Sequence, residues 1–575
     1  MTAAFSPDER ARLAPYFTNL DAPVFALVNL PEVVKGALFA RYSRSPKSLR
    51  RLFLDEFLAA DRTTPLDSPV RGPGASRGGD GGVASTPPSS TGEGDRETER
   101  VSVDAGVTRA EQLYEKVFFE YGDDSVAQLG GVHLAVEGAS NILTKVLEWG
   151  RLMAYLEQST RYIPYDDRPG GRYRYHVPAE LGGPLRARYV ATLDTAFDVY
   201  REWLPRVRAF YEARHPREAG ESEAVYRTTI RAKALDTLRG LLPAATVSNV
   251  GIYGTGQAWE QLLLRMRAHP LAEVRACADA ILIELRKVIP AFLTRVDLPD
   301  RGGVWSAYLA ETRAATQAIT ARVLATPAAA ATRAPSGVAA DEAEVTLTDF
   351  DPDGEIKVVA AALYAASDRP DQELLAVARA LTPAERTEVL RAYVGRRSNR
   401  RHRPGRAFER TSYRFDVLSD YGAFRDLQRH RLLTLEWQRL SPQHGWVMPE
   451  AVAEAGGAEA WRAVMEGAAE LHDAIAATGL AEVASYAVSM AHRVRFYMEM
   501  NAREAMHVIE LRTTPQGHPA YRRVGQAMHR LIAEGAGHAA IAAAMSFADH
   551  SEVALERLEA ERAAERRKER HGWGS

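Results

Sequence analysis

"LEWGRLMAYLEQSTRY", residues 147–162, and "QRHRLLTLEWQRLSP", residues 428–442, have the same outline, and together they decide how the chain is organised. The later stretch carries three basic residues at the predicted end of a helix: Arg429, His430 and Arg431. The earlier stretch instead carries three polar residues in its loop: Glu157, Ser159 and Arg161. Each stretch lacks what the other keeps, which indicates two diverged copies of one segment.

The order of predicted elements is repeated around these two stretches. In each half a helical run leads into a strand of alternating apolar residues, over residues 130–138 and 411–420. A helix, a polar loop and further amphipathic helices follow in both halves. Because the matches come in the same order with similar gaps, the sequence predicts a tandem repeat of one domain.

Length and composition agree with a globular chain of more than one domain. The 575 residues are too many for a single ordinary core. The chain is 46% hydrophobic and 26% charged, with a formal net charge of -2. A general nucleic-acid binder would usually be clearly basic, so no nucleic-acid partner is expected.

Several other classes of site are not indicated. The single cysteine, Cys277, excludes an internal disulfide framework and lies in an apolar helical pattern typical of a packed thiol. The histidines show no clustered ligand spacing, so no metal is predicted. No apolar run reaches the roughly 20 residues that cross a bilayer, so no membrane contact is expected. The N-terminus lacks the pattern of a signal peptide, which predicts a cytoplasmic location.

Two segments rich in small and polar residues divide the chain. Residues 61–100 are predicted to be a disordered insertion within a first domain, residues 1–324. Residues 325–344 are a predicted linker to a second domain, residues 345–550. Residues 551–575 are expected to form a charged C-terminal helix or tail.

Three motifs taken together resemble the flavin-dependent thymidylate synthases. They are the Arg-His-Arg triplet at residues 429–431, the Glu-x-Ser-x-Arg-Tyr loop at residues 157–162, and the helix from "NAR" to "LR" at residues 501–512. The resemblance covers both halves, whereas the family usually has the domain once per chain. It implies an α+β fold of two tandem helix-rich domains, each with a small antiparallel sheet packed on helices.

The resemblance also implies an activity and an assembly. Members of the family hold FAD stacked on deoxyuridine monophosphate (dUMP), which they methylate to dTMP with methylene-tetrahydrofolate, while NADPH reduces the flavin. Their sites form at the subunit interfaces of a homotetramer. A homodimer of this duplicated chain would therefore mimic that tetramer. No cysteine nucleophile is required, so the lone cysteine is compatible with the family.

By this resemblance the first half binds the nucleotide. Its substrate-binding residues would be Glu157, Ser159, Arg161 and Arg239. A guanidinium and a hydroxyl suit a phosphate, and a carboxylate can accept from sugar hydroxyls. Arg267 matches the catalytic arginine that polarises the pyrimidine, with Arg265 as the alternative because the register slips here. The flavin-side positions are lost in this half: Trp149, Gly150, Gln128 and residues 255–257.

By the same resemblance the second half binds the flavin. Its cofactor-binding residues would be Glu409, Arg429, His430, Arg431, Asn501, Arg503, His507 and Arg512. Asn501 and Glu504 have the form of a capping box, which predicts a helix start at that point. Arg503 and His507 are four residues apart and share a helix face that could meet a diphosphate or the flavin ring. The nucleotide-side positions are lost in this half: Arg439, Ser441 and Ser485.

The complementary losses predict one composite site, with the nucleotide held by the first half and the flavin by the second. Two alternatives stay open. Because His507 replaces a usual amide and Ala154 a usual serine, the reaction or the pyrimidine substrate could differ. The duplicated chain could also be a scaffold or nucleotide-binding regulator without catalysis.

Overall fold

The fold is described from a computed structural model, which covers residues 5–58, 128, 130–217, 222–326 and 343–552. The predicted insertion at residues 61–100, most of the predicted linker and nearly all of the predicted C-terminal tail lie outside the described residues. The predicted domain boundaries remain predictions, although the last described helix before the predicted linker, Val304–Leu324, ends at the proposed limit of the first domain.

Within its described residues the first half contains four strands, named in chain order: β1 Val24–Leu27, β2 Gly131–Ser140, β3 Met153–Glu157 and β4 Val247–Thr255. Its helices are α1 Pro7–Leu13, α2 Glu32–Tyr42, α3 Leu49–Leu52, α4 Asn141–Leu147, α5 Gly183–Arg214, α6 Glu223–Leu238, α7 Gly256–Arg267, α8 Ala272–Leu285 and α9 Val304–Leu324. A short 3-10 turn, Arg239–Leu241, joins α6 to the segment before β4.

The second half also contains four strands: β5 Val345–Phe350, β6 Ser412–Asp420, β7 Thr434–Trp437 and β8 Arg493–Asn501. Its helices are α10 Gly354–Tyr364, α11 Asp371–Ala380, α12 Pro383–Val394, α13 Tyr421–Leu427, α14 Glu450–Glu454, α15 Ala458–Ala476, α16 Ala481–Ala484, α17 Ala502–Arg512, α18 Pro519–Arg530 and α19 Ala539–Ala544. The 3-10 turn Ser485–Ala487 is the counterpart of the one in the first half.

The two sheets have the same topology, which confirms the α+β fold class. The strand orders are β1-β2-β4-β3 and β5-β6-β8-β7, and every pairing is antiparallel. The alternation that predicted strands is the cause: β8 buries every second residue against the helices, as a half-buried strand does. The predicted strands at residues 130–138 and 411–420 are confirmed as β2 and β6.

The same local chemistry starts the helix after each of these strands. Ser140 caps α4 by accepting from the backbone N–H of Leu143, and Asp420 caps α13 by accepting from that of Ala423. Each residue is both the last residue of its strand and the N-cap of the helix that follows. The C-terminal ends of α4 and α13 lie at the boundary between the halves, and so does the basic triplet that follows α13.

A pseudo-two-fold axis relates the halves. Pro243 pairs with Ser489, and the backbone bonds around this pair are reciprocal. Ala244 N–H donates to the carbonyl of Val488 over 2.8 Å, and Met490 N–H donates to that of Leu242 over 2.9 Å. Buried apolar residues of both halves form one continuous core across this boundary, where the long helices α5 and α15 pack against each other.

The N-terminal elements α1, β1, α2 and α3 add a smaller apolar cluster beside the first sheet. They also support the polar loop after β3. Ser159 N–H donates to the carbonyl of Ser43 over 3.1 Å, and the amide of Gln158 donates to that of Ser45 over 2.6 Å. The loop that the sequence assigned to the nucleotide is therefore held from behind by the N-terminal segment.

Two further expectations concern single features. Cys277 on α8 is buried and unpaired, and burial raises the pKa of its thiol, as expected for a packed rather than a nucleophilic cysteine. Among the residues that the structure describes, no helix is long and apolar enough to span a bilayer.

Candidate functional site

The centre of the site is the carboxylate of Glu157, the last residue of β3. Its side chain is fully buried and contacts three cations from two halves. Lys145 lies 3.3 Å away, Arg425 donates over 2.7 Å, and Arg429 also donates to the same carboxylate. Burial alone would raise the pKa of Glu157, but these cations hold it well below its usual range.

Arg429 brings the basic triplet of the second half to this carboxylate of the first half. It lies two residues beyond the end of α13, while Glu157 ends β3. The guanidinium also lies 3.9 Å from Glu148, which is itself bonded to Lys145 over 2.5 Å. Residues that the sequence assigned to the flavin and to the nucleotide are thus in direct contact within one chain.

Arg161 extends the site on the nucleotide side. Asp236 on α6 accepts from the Arg161 Nε over 2.7 Å and lies 2.6 Å from Nη2. Burial would raise the pKa of Asp236, but Arg161 keeps it below its usual value. Arg161 also donates to the hydroxyl of Tyr521 on α18 over 3.4 Å, which is a further contact between the halves. Ser159 lies in the same loop and its hydroxyl accepts from the Arg161 N–H over 3.3 Å.

Arg239, at the 3-10 turn after α6, is the fourth predicted nucleotide residue. It is only 4% exposed, and its nearest carboxylate is Asp426 of α13 at 3.5 Å. Its Nε and Nη2 have no hydrogen-bond partner in the described part of the chain. Gly422 makes room for it, since a Cβ there would lie 3.2 Å from those same nitrogens. A buried guanidinium with open donors is what a phosphate or carboxylate ligand would satisfy.

Asp426 and Arg512 connect the predicted nucleotide residues to the predicted flavin residues. The Asp426 carboxylate lies 4.0 Å from Arg429 and 4.0 Å from Arg512. Burial opposes its charge, but Arg429, Arg239 and Arg512 together depress its pKa far below the usual range. Arg512 ends α17, donates to the Asp426 carbonyl, and lies over the ring of Tyr521 at 5.3 Å.

His430, Glu504 and His507 form a second cluster next to Arg512. Arg512 Nε donates to His430 Nε2 over 2.9 Å, and His430 Nδ1 lies 3.7 Å from Glu504. The carboxylate of Glu504 is 3.3 Å from His507 Nδ1. Burial and Arg512 lower the pKa of His430 to about 4, so this ring is neutral at pH 7. The two rings lie edge to face, 5.3 Å apart.

This cluster bears on the expected absence of a metal, because its three ligand atoms lie within 4.8 Å of one another. A guanidinium only donates, so His430 Nε2 must accept and the proton of the neutral ring is on Nδ1. That proton faces Glu504. The cluster is thus bonded within itself, and the absence of a metal stays a prediction.

The remaining flavin-side residues lie around the start of α17. Asn501 caps this helix by accepting from the Glu504 N–H over 2.9 Å, as predicted. The capping box is only half formed, because the Glu504 carboxylate turns to the two histidines instead of to the Asn501 N–H. Arg503 donates to the Pro404 carbonyl over 3.0 Å and lies 3.3 Å from Glu409.

Two predicted residues are not part of these contacts. Arg267, the proposed catalytic arginine, ends α7 and pairs with Asp279 over 2.6 Å at the surface. Arg431 is exposed and makes no hydrogen bond or ion pair with the described residues. The structure therefore brings together every predicted nucleotide residue and most of the flavin residues, but it places Arg267 elsewhere. Arg512 occupies the position between nucleotide and flavin residues instead.

Similarity to known proteins identifies the family of this chain. The profile of the thymidylate synthase complementing protein family matches residues 83–291 and 346–536. The chain belongs to this family. The two matched segments are the two halves, which confirms that the domain is present twice.

Relatives of two kinds resemble this chain. A UPF0159 protein of Chlamydia muridarum (strain MoPn / Nigg) is 36% identical over 560 residues, covering 97% of this chain and 98% of the relative. A flavin-dependent thymidylate synthase of Mycobacterium sp. (strain JLS) is 30% identical over 188 residues, covering 32% of this chain and 69% of the relative. The first kind matches the whole duplicated chain and the second matches about one domain.

One solved structure with similarity to this family member is the UMP/dUMP methylase PolB from Streptomyces cacaoi bound with 5-Br dUMP. The match has a TM-score of 0.27 and 21% sequence identity, and it covers 35% of this chain and 94% of that one.

Several residues of the site were missed by sequence reasoning. They are Lys145, Asp236, Arg425, Asp426 and Tyr521. Arg425 and Asp426 lie in α13, the short helix that leads to the basic triplet. A helical wheel of residues 421–427 was therefore the available signal. Asp236 and Tyr521 carried none, because Asp236 meets Arg161 only when α6 packs against the loop after β3, and Tyr521 meets it only when the two halves pack together.

Proposed function

We propose that this chain is a flavin-dependent enzyme that methylates the pyrimidine ring of dUMP to give dTMP, with one composite site per chain. In this proposal the first half holds the nucleotide and the second half holds FAD. Methylene-tetrahydrofolate donates the carbon and NADPH is the reductant. The observation that carries the proposal is the contact between Arg429 and Glu157, which joins the two motif sets within one chain.

The nucleotide phosphate would bind at Arg161 and Arg239. Arg161 presents a guanidinium at the edge of the loop, supported by Asp236, and Arg239 has two open donors on a buried side chain. A phosphate provides the acceptors that these donors lack, and such charge-assisted bonds are strong where water is excluded. The hydroxyl of Ser159 is available to the same group.

The second-half residues fit a flavin, whose ring and diphosphate are rich in acceptors. Arg429, Arg503 and Arg512 are donors only, and Asn501 keeps its amide nitrogen for a ligand because its oxygen caps α17. When bound, the flavin supplies the redox chemistry, and the protein supplies orientation and charge. The neutral His430 adds no charge, so the positive field comes from the arginines.

Arg512 is the proposed partner of the pyrimidine, in place of Arg267. Its guanidinium lies between Asp426, which faces the nucleotide arginines, and His430, which faces the flavin residues. Negative charge that develops on the ring during attack on the carbon donor would be stabilised by this fixed cation. Arg267, paired with Asp279, has no such position.

The test begins with the absorption spectrum of the FAD-loaded full chain during titration with dUMP, followed by a methyl-transfer assay. A flavin spectrum that shifts with nucleotide supports one shared site. Arg161→Gln should abolish the shift while FAD still binds, and Arg429→Gln should impair both. Arg286→Gln, which removes a surface pair with Asp297, is the matched control and should behave as the parent chain.

The role of Arg512 has its own test. Arg512→Gln should lower the rate of methyl transfer by at least about 100-fold, the usual effect of removing one such stabilising donor. If Arg267→Gln rather than Arg512→Gln has this effect, the assignment is wrong. A chain that cannot be loaded with FAD would reject the enzyme and leave a duplicated scaffold.

The second candidate function is the same chemistry on a different pyrimidine nucleotide. The position of the Asp426 carboxylate favours testing it. A carboxylate among the nucleotide arginines can accept from a sugar hydroxyl. Titration with uridine monophosphate beside dUMP decides between the two sugars. The proposed homodimer, which would supply four domains, is tested by light scattering on the same preparation.

A further inference from the structure

The pseudo-two-fold axis creates a counterpart of the composite site, and its residues are different. α4 and α13 correspond, so Trp149 and Arg429 are equivalent, each two residues beyond its helix. β3 and β7 correspond, so Glu157 and Trp437 are equivalent as last strand residues. Where Arg429 meets Glu157 in the composite site, Trp149 meets Trp437 in the counterpart, edge to face with ring centroids 5.4 Å apart.

This exchange removes the charges that a catalytic copy would need. Ser485, the equivalent of Arg239 at the 3-10 turn, donates its hydroxyl to the Leu440 carbonyl over 2.9 Å. On the helix after β4, Ala258 and Gln261 take the places of Glu504 and His507. At its equivalent positions the counterpart therefore has neither the nucleotide arginines nor the histidine cluster, although His430 of that cluster reaches the wall of the cavity described next.

A cavity nevertheless remains beside the two tryptophans, with a volume of about 250 Å³. Three arginines line it: Arg151, Arg265 and Arg431. Arg265 stands where the other half has Leu511, so its charge is specific to this copy. It is half-buried, and burial lowers the pKa of its guanidinium, yet no carboxylate in the described chain pairs with it.

The other groups around the cavity leave the positive charge largely uncompensated. Arg151 donates only to the Leu433 carbonyl, over 3.0 Å, and to the Thr434 hydroxyl, over 3.2 Å. Of the two lining carboxylates, Glu148 is bonded to Lys145, and burial raises the pKa of Glu436, which weakens its charge. Trp149 is 38% exposed and lies 5.4 Å from the Arg265 guanidinium, so it offers an aromatic surface next to the cations.

We propose that this counterpart cavity is a second, non-catalytic ligand site that binds a phosphate group, carried by a nucleoside monophosphate whose ring packs on Trp149. Guanidinium forks are matched to phosphate oxygens, and an exposed indole is a stacking surface for any base. The volume suits a ligand smaller than a dinucleotide. The inference concerns binding only and does not require that the composite site be catalytic.

The test measures binding stoichiometry by calorimetry on the full chain loaded with FAD, with dUMP and inorganic phosphate as separate probes. The expected result is two dUMP per chain. Arg265→Gln should weaken one of them by at least about 10-fold and leave the other, while Arg161→Gln should do the reverse. Arg151→Gln, at an exposed position, repeats the first result if Arg265→Gln does not fold.

Inorganic phosphate separates the two possible sources of the phosphate group. Trp149→Ala should weaken dUMP at the second site but leave inorganic phosphate unchanged there; equal losses would mean that no base is recognised. One dUMP per chain with no effect of Arg265→Gln overturns the proposal, as does competition between FAD and phosphate, which would assign the cavity to the flavin. One dUMP that is lost in Arg265→Gln but kept in Arg161→Gln supports this site and rejects the composite one.

Discussion

Glu157 is the residue on which the charges of both halves converge. Three cations contact its buried carboxylate, and Glu148 is too occupied with Lys145 to replace it. Removing one partner of a buried ion cluster leaves the others desolvated without compensation. We predict that Glu157→Gln lowers the free energy of unfolding by about 3–5 kcal/mol, measured by urea denaturation at pH 7.

The control for this prediction is Glu56→Gln. Glu56 pairs with Arg41 over 2.7 Å, but both side chains reach solvent, so the loss should stay below about 1 kcal/mol. If the two variants are equally stable, the carboxylate of Glu157 contributes no more than a surface pair, and its burial among cations has been compensated elsewhere.

His492 gives a prediction for pH. It is fully buried at the boundary of the halves, and burial lowers the pKa of its ring to about 4 from an ordinary value near 6.5. The unfolded chain then binds the proton more readily, so this stability is complete above pH 6.5 and is lost as the pH falls towards 4. Between pH 7.5 and pH 5 the parent chain should lose about 2 kcal/mol more than His492→Gln, measured by urea denaturation at each pH. Parallel pH curves for the two proteins would contradict the assignment.

At the residue scale, the sequence predicted the charged residues that belong to motifs but not the residues that pair with them. Glu157, Arg161 and Arg429 were found because each lies in a recognisable spacing. Asp236 and Asp426 were not, because a carboxylate on a helix has no pattern that identifies its partner before the chain is folded. Arg267 pairs with Asp279 at the surface, apart from these residues, and its catalytic role stays a prediction. A shift of one position on a helix turns a side chain by about 100° to another face, so the motif alone could not fix which face the arginine occupies.

At the scale of elements, alternation and capping predicted more than the motifs did. β2 and β6 follow from alternating residues, and the start of α17 follows from Asn501. What local rules could not show is that Glu504 would leave the cap for two histidines. Burial decides which partner the Glu504 carboxylate takes. Leaving two buried imidazoles without this acceptor costs more free energy than leaving the backbone N–H of Asn501 without it at a helix end.

The capping of α17 by Asn501 can be separated from the proposed role of this residue in binding flavin. Asn501→Ala should cost about 1 kcal/mol of stability, the usual value for an N-cap, and should also weaken FAD binding. Thr382→Ala is the matched control, because Thr382 caps α12 by the same bond and has no predicted ligand role. It should cost a similar amount of stability and leave FAD binding unchanged. Equal losses of FAD in both variants would show that Asn501 acts only through the helix.

At the scale of the whole molecule, the duplication is what allows the two copies to differ. The reciprocal backbone bonds around Pro243 and Ser489 join the two halves within one chain. Each half is then free to lose one side of the site, since a change in one copy is no longer repeated in the other. The sequence predicts this complementarity, and the contact of Arg429 with Glu157 supports the proposal of one composite site without testing it.

The linker should then be dispensable. Residues 1–326 and 343–575, expressed together as separate chains, should copurify, because a continuous apolar core and a reciprocal ladder join them without the segment between. The pair should bind FAD and show the dUMP-dependent spectral shift, while neither half should do both alone. Glu157→Gln in the first chain and Arg429→Gln in the second should each weaken copurification, and the double variant should lose less than their sum if the two side chains act as a pair. A single half that binds FAD and responds to dUMP would place a complete site within one domain and refute the composite arrangement.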